Sequence, residues 1–437
     1  MQQKDYNQNC EDIMKERVIF HIDINHCYAQ IEEMKYPQLR EVPMAVGGHE
    51  EKRHGIILAK NDLAKKAGVL TGESLREAKE ACPDLLIIPP QYEDYTYYTG
   101  LVKDIYREYS SQVESFGLDE AWVDFTGSRH LFGDPLQTAE EIRNRVYREI
   151  GLTVSVGVSW NKIFAKFGSD LKDPSGIAVI TKDNYRDKVW PAPVRDLLYV
   201  GPATERKLKS RGIYTIGDLA GYPVQHLKKA MGVAGEVISV FANGGDCSEV
   251  TENGYASPIK SVGNSMTMVH DVDNAEDLRP VYYVLCEAIA SRLKDAGMEG
   301  DVISVSVRSS GLEWFMKQRK LPRRTNVSEE ILHAVMELLE TSYSFDTPLR
   351  AVGASVSGLR PAGSFRQLSL LEDEEKHEKA RRIDYAMDQI RGQYGFYAVR
   401  RACTVIDRPL TEFNPKDDHT IHPIGYFQGR KMSDGTL

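Results

Sequence analysis

The alternation of apolar and polar positions changes rhythm abruptly near the front of the chain. Residues 1–17 are polar and show no period. Val18-Ile19-Phe20-His21-Ile22 is then a run of β-branched and aromatic residues, which predicts a buried strand. The run ends in Asp23. Asn25 stands where an N-cap belongs, and Ala29-Gln30-Ile31-Glu32-Glu33 continues as helix. Turn signals at Pro37, Pro43, Gly47-Gly48 and Gly55 enclose short strands at Met44–Val46 and Ile56–Ala59. Helices are expected from Lys60 to a glycine stop at Gly68, and from Ser74 to Cys82. Tyr92–Tyr109 has helical spacing, and its many tyrosines are read as core and helix surface.

Two strand-like segments meet at Gly117 within Val113–Phe125, the pattern of a hairpin. An amphipathic helix over Thr138–Glu149 and a strand over Leu152–Val158 follow. Strand, helix, hairpin, helix, strand is the split arrangement of a ferredoxin-like sheet. Ser159–Lys166 opens another helix. From Pro191 the pattern becomes short helices with glycine turns, at Val200-Gly201-Pro202-Ala203-Thr204 and near Gly232. Those are helix-hairpin-helix signals, whose backbone amides can grip a phosphate without reading sequence. Residues 247–258 read as a linker. An α/β unit is expected from Pro258 to about Arg360, with strands near Ser265–His270, Val302–Arg308 and Leu349–Leu359 and helices at Glu276–Lys294 and Ser328–Tyr343. A polar extension with one helix, Lys376–Arg391, closes the pattern.

Composition narrows the class. At 437 residues, 41% hydrophobic and 27% charged, the chain suits a soluble protein of about three domains. No apolar run reaches membrane-spanning length, and the first 17 residues lack the apolar core of a secretion signal. Six scattered cysteines with no C-x-x-C pair argue for a reducing cytoplasm and against a zinc site. The net charge of −9 is unevenly spread. Lys and Arg exceed the acids between Trp160 and Ala230, and Lys317, Arg319, Lys320, Arg323 and Arg324 form a second basic cluster. Local stripes of this kind govern polyanion binding more than the total does.

The candidate chemistry begins with Asp23. A strand that delivers a carboxylate into a helix start sets a hard oxygen ligand beside free backbone amides. Asp23 could hold a divalent metal while the amides near His26 and Cys27 hold a polyphosphate. Asp119-Glu120 at the hairpin is the second half. Neighbouring strand residues point to opposite faces, so both reach one centre only where the strand starts irregularly, which Gly117 permits. Three carboxylates at adjoining strand ends could hold two Mg²⁺ ions. An aspartyl phosphotransferase is a rival class, because an acid after an apolar strand is also that nucleophile's setting. A catalytically dead DNA-binding or clamp-tethered regulator is another.

The opening stretch, Leu118-Asp119-Glu120-Ala121-Trp122 and Gly157-Val158-Ser159-Trp160-Asn161-Lys162-Ile163-Phe164-Ala165-Lys166, taken in this order, resemble the Y-family DNA polymerases of the bacterial polymerase IV (DinB) and UmuC type. The likeness runs from about residue 18 to 360. It implies an α+β multidomain right hand: a ferredoxin-like palm (18–26 and 92–173), small fingers (27–91), a helix-hairpin-helix thumb (174–246), an α/β little finger (258–360) and a C-terminal extension (361–437). It implies template-directed addition of dNTPs to a primer 3′-OH, translesion synthesis with low fidelity, and a monomeric cytoplasmic, nucleoid-associated enzyme.

By the same resemblance, Asp23, Asp119 and Glu120 bind the two ions with the backbone carbonyl of Ile24. His26, Cys27, Tyr28, Lys65 and Lys166 contact the nucleotide, and Tyr28 excludes the ribose 2′-OH. Gly201, Thr204, Lys207, Lys317, Arg319 and Arg324 are candidate contacts to primer–template DNA. Gln367-Leu368-Ser369-Leu370-Leu371 resembles the peptide with which bacterial polymerases bind the sliding clamp; Gln367, Leu368, Leu370 and Leu371 are its anchors. One departure stands out. Polymerase IV-like fingers carry a tyrosine and an arginine on the triphosphate, and here Asp62 and Lys65 hold those places, as in Lys60-Asn61-Asp62-Leu63-Ala64-Lys65 of a more UmuC-like pattern.

Overall fold

The structure is a computed structural model. It describes residues 17–48, 55–171, 175–255, 258–363 and 374–416. The proposed clamp peptide at 367–371 lies outside them. The chain divides into two compact units, which meet in sequence between residues 256 and 257.

Among the described residues of the first unit, eight strands make two sheets: β1 (Ile19–Ile24), β2 (Met44–Gly47), β3 (Ile57–Lys60), β4 (Leu86–Ile88), β5 (Val113–Phe116), β6 (Glu120–Asp124), β7 (Val154–Ser159) and β8 (Ile177–Val179). The larger sheet has the order β5-β6-β1-β7-β8. β1 runs antiparallel to both β6 and β7, and β8 adds parallel to β7 at the edge. Without β8, this is the split ferredoxin-like arrangement the pattern predicts.

β1 is central and buried on both faces. Phe20, Ile22 and Ile24 enter a core with Tyr95, Val102 and Tyr106 of the helix Tyr92–Tyr109 and with Ala139, Ile142 and Val146 of the helix Pro135–Ile150. Ile19 packs on the other face with Trp122 and Ala165. The helix Lys162–Asp170 covers that face, and it lies unusually close. A Cβ at Gly157 would stand 1.9 Å from the Ala165 carbonyl oxygen, so only glycine allows this approach.

The smaller sheet, β3-β2-β4, carries the helices Asp62–Lys66 and Leu75–Ala81. Ser74 and Glu77 form a reciprocal capping box at the second of them. β4 is not evident in the sequence; it has three residues and pairs parallel to β2. Four helices follow between Pro202 and Ala242 around Leu208, Ile216, Leu219, Leu227 and Ile238. The residues after them depart from the expected free linker. Val250 is 1% exposed, Gln112 donates to its carbonyl, Asn253 donates to the Ser110 carbonyl and Glu114 accepts from the Thr251 amide. Residues 248–253 are therefore a strap on the first unit.

Among the described residues, the second unit has a five-stranded antiparallel sheet: β9 (Ser261–Val272), β10 (Met298–Ser309), β11 (Trp314–Thr325) and β12 (Leu349–Ser357) run in the order β11-β10-β12-β9, and a two-residue strand, β13 (Arg360–Pro361), pairs with the start of β10. The helices Ala275–Asp295 and Ser328–Ser342 pack on it. β11 was missed by periodicity: it is basic, contains Pro322 and sits at the sheet edge, where proline is tolerated.

The extension is no loose tail. Its helix spans Glu374–Tyr394 and passes through Gly392, the expected stop. Asp384, 5% exposed, accepts from the Ser328 backbone N–H at 2.7 Å and from its hydroxyl at 2.6 Å. Ser328 opens its helix with no cap from its own segment, so Asp384 caps that helix from another element. Arg391 and Arg401 pair with buried Glu287 at 2.8 and 2.7 Å. Replacing Asp384 by Ala should destabilise the second unit by about 1–3 kcal/mol, the cost of a buried orphan donor. Denaturant unfolding would read it, and an unchanged midpoint would contradict the capping role.

Among the described residues no helix is long and apolar enough to cross a membrane. Among the described residues Cys27, Cys82, Cys286 and Cys403 are free.

Candidate active site

The register of β1 on β6 builds the site. Asp23 lies directly opposite Glu120, so the two carboxylates share one face of the sheet. Asp119 is in the turn before β6. Gly117 takes φ +79°, and the Ile24 amide donates to the Asp119 carbonyl at 3.2 Å, tying that turn to the end of β1. Lys103, 4% exposed, donates to the Gly117 carbonyl at 3.1 Å from behind. Burial presses its pKa down to about 7, against the pull of Asp119.

The tight seat of the helix Lys162–Asp170 on Gly157 places Lys166 over the acids. Its ammonium is 3.1 Å from Glu120, 3.0 Å from Asp170 and 3.7 Å from Asp23. Burial opposes the charge on Lys166, but these carboxylates outweigh it and raise its pKa. Lys166 thus holds an ion pair one turn along its own helix, with Asp170, and reaches the acids as well.

Burial, then the charge of Glu120, drives the Asp23 pKa up to about 8. Burial also raises Asp119. Glu120 goes the other way: burial favours its neutral form, yet His21 and Lys166 hold it below the usual range. Replacing Asp23 by Asn should therefore raise the melting temperature in a chelator, and by more near pH 8.5 than near pH 5. With a folded pKa of about 8 against an ordinary 3.8, the folded protein loses stability progressively as pH rises between those values. Asn removes that loss; an equal gain at both pH values would contradict it.

His21, fully buried on the same face, sits beneath the acids. Its Nδ1 is 2.7 Å from the Ser169 hydroxyl and its Nε2 is 3.1 Å from Glu120 Oε2. Neither Nε2 nor that oxygen has a hydrogen-bond partner of good geometry. That oxygen is met at 3.1 Å by the His21 ring and by the Lys166 ammonium, and a buried, ionised carboxylate oxygen among crowded acids suits a hard divalent cation. Among the described residues no three His, Cys, Asp or Glu side chains already stand close enough to hold one ion.

Beside the acids is a cavity of about 560 Å³ lined by Asn25, His26, Cys27, Tyr28, Lys60, Asp62, Lys65, Thr71 and Asp119, among others. It gathers the sequence-predicted His26, Cys27, Tyr28 and Lys65 at one place, and Asp62 with them. Asn25 is not the helix cap. It donates to Thr153 and accepts from Ser155, fixing the strand end to β7, while His26 opens the helix Cys27–Lys35 in a left-handed conformation, φ 36°. The Tyr28 ring stacks on Tyr95 at 4.4 Å and 9°, and the Tyr95 hydroxyl donates to buried Glu32 at 2.7 Å. One face of Tyr28 is thus backed by the core while its residue lines the cavity.

The DNA candidates are distributed. Gly201, Thr204 and Lys207 belong to the helical end of the first unit, with Lys207 exposed at the helix Pro202–Lys209. In the second unit, Arg319 is paired with Glu337 at 2.6 Å and Arg324 approaches Asp301 at 3.8 Å, so part of the expected basic cluster is engaged internally. Lys317 lies on β11 opposite Val305.

The impB/mucB/samB family model matches residues 22–170, and that family's C-terminal domain matches 259–370. DNA polymerase IV of Acetivibrio thermocellus is 42% identical over 394 residues, 90% of this chain and 99% of the relative. DNA polymerase IV 2 of Bacillus subtilis is 35% identical over 90% of this chain and 96% of its own length. A solved Y-family polymerase chimera of Dbh and Dpo4 superposes with a TM-score of 0.68 at 21% identity, over 78% of this chain and 98% of the chimera. The chain belongs to the Y family of DNA polymerases. Within that family it is of the polymerase IV (DinB) type, a DNA-directed DNA polymerase, which resolves the branch that the UmuC-like Lys60–Lys65 segment left open.

Proposed function

We propose that the enzyme performs translesion synthesis, adding dNTPs to a primer 3′-OH at the Asp23–Asp119–Glu120 centre. The observation that carries this reading is the β1–β6 register, which sets Asp23 against Glu120 with Asp119 in the adjoining turn, beside a nucleotide-sized cavity. In this reading the ferredoxin-like sheet (18–26, 92–173) is the palm, 27–91 the fingers, 174–246 the thumb and 258–360 the little finger.

Asp23, Asp119, Glu120 and the Ile24 carbonyl would hold two Mg²⁺ ions. Bound there, the ions would acidify the primer hydroxyl and neutralise the departing pyrophosphate. The chain's own residues do the rest. Glu120, kept ionised by His21 and Lys166, offers a ready oxygen ligand. The first-turn amides near His26 and Cys27 face the phosphates with the helix dipole behind them. Lys65 and Lys166 add positive charge, and the Tyr28 ring occupies the space a 2′-OH needs. No side chain stands out as a general base.

Gly201, Thr204, Lys207, Lys317, Arg319 and Arg324 are proposed to meet DNA chiefly through phosphates, so affinity should fall steeply with salt. Gln367, Leu368, Leu370 and Leu371 would bind a sliding clamp, bringing a monomeric cytoplasmic enzyme to the nucleoid. A roomy site of this kind implies low fidelity. Primer extension by the purified protein, with Mg²⁺ and each nucleotide offered singly on intact and damaged templates, tests the proposal. Extension on neither template would overturn it.

A further inference from the structure

The fingers lack the arginine fork that the family pattern sets on the triphosphate, and the cavity shows a replacement. Lys60 ends β3 and Lys65 lies one turn into the next helix, and both line the cavity that holds Tyr28 and Asp119. Asn61 fixes their spacing: it caps the helix by accepting from the Ala64 amide and from the Met44 amide, and it donates to the Leu39 and Val42 carbonyls. The Lys60 ammonium donates once, to the Thr71 hydroxyl at 2.9 Å. Among the described residues neither lysine forms an ion pair, although Asp62 shares the same wall.

Two unneutralised lysines on one wall repel each other. Burial first, then the Lys65 charge, lowers the Lys60 pKa. Glu73, the acid that favours the Lys60 charge, accepts from the Leu70 amide instead of pairing with it. Like charges set into one concave wall and left unpaired fit a polyanionic ligand that supplies the missing counter-charge. We propose that Lys60 is a nucleotide-contacting residue, gripping the triphosphate together with Lys65 and oriented by Thr71. Two point charges from a strand end and a helix thus replace a single planar fork. This rests on the cavity being the dNTP site.

The test uses the full chain and single-nucleotide insertion on a primer–template. Lys60→Met should raise the dNTP KM about tenfold, the scale of one lost charge-assisted hydrogen bond, with little change in kcat. DNA affinity and melting temperature should be unchanged, and Lys60→Arg should restore most of the loss. Inorganic tripolyphosphate, as competitor, should lose affinity in Lys60→Met by a similar factor, because the lysine meets phosphate and not base. An unchanged KM, or a raised KM with unchanged tripolyphosphate inhibition, overturns the proposal. If Asp119→Ala abolishes insertion while Lys60→Met leaves KM unmoved, the lysine grip fails and the site stands. If Asp119→Ala also inserts normally, the site itself is misplaced.

Discussion

Replacing Asp119 and Glu120 together by Ala is expected to abolish primer extension, by roughly a thousandfold or more, the scale of losing electrostatic stabilisation in a partly dry site. DNA affinity should hold, because neither acid belongs to the basic surfaces. The fold should hold too. Both side chains stand among like charges: burial is the main cause of the raised pKa of Asp23, and the charges of Glu120 and, less, Asp119 add to it. Lys166 keeps Asp170 at 3.0 Å and Asp23 at 3.7 Å as partners after Glu120 is gone. A thermal melt no lower than that of the parent would accompany the loss. Full extension by the double variant would refute the assignment of these carboxylates.

Replacing Tyr28 by Ala should admit ribonucleotides, with a fall in dNTP-over-rNTP selectivity of about a hundredfold or more. A steric barrier to one hydroxyl is an all-or-none device when the ring that forms it cannot yield. Tyr28 meets that condition. It stacks on Tyr95, which is fully buried, and Tyr92 abuts both rings edge-on at 6.1 and 6.0 Å. The Glu32 carboxylate then fixes Tyr95 through its hydroxyl. Parallel insertion kinetics with dNTPs and rNTPs measure the ratio. Unchanged selectivity in Tyr28→Ala would place the barrier elsewhere.

Much of this was legible in the sequence for identifiable reasons. β1 could be read because a fully buried strand leaves a continuous apolar run, and the hairpin because a glycine interrupts one. Asp23 and Glu120 could be paired in advance because Asp119-Glu120 forms a second acidic strand end, in the motif order of the Y-family resemblance. What escaped was whatever depends on contacts far apart in the chain. Asn25 has the composition of a cap, yet tertiary bonds to Thr153 and Ser155 claim its side chain. β11 is charged and carries a proline, so its pairing with β10 leaves no period. Residues 248–253 and the helix Glu374–Tyr394 look polar because their anchors are hydrogen bonds and ion pairs, such as Asp384 on Ser328. Lys60 and Lys103 carry no signal of their own in the sequence; only the cavity and the Gly117 turn give them a place.

The account rests on divalent ions gathering at the end of β1. The most direct measurement is the anomalous diffraction from Mn²⁺ in crystals of the complex with primer–template and a non-hydrolysable dNTP. Two peaks are expected, with Asp23, Asp119 and Glu120 as the protein ligands. Peaks that leave Glu120 or Asp119 uncoordinated, or that lie away from Asp23, would contradict that assignment.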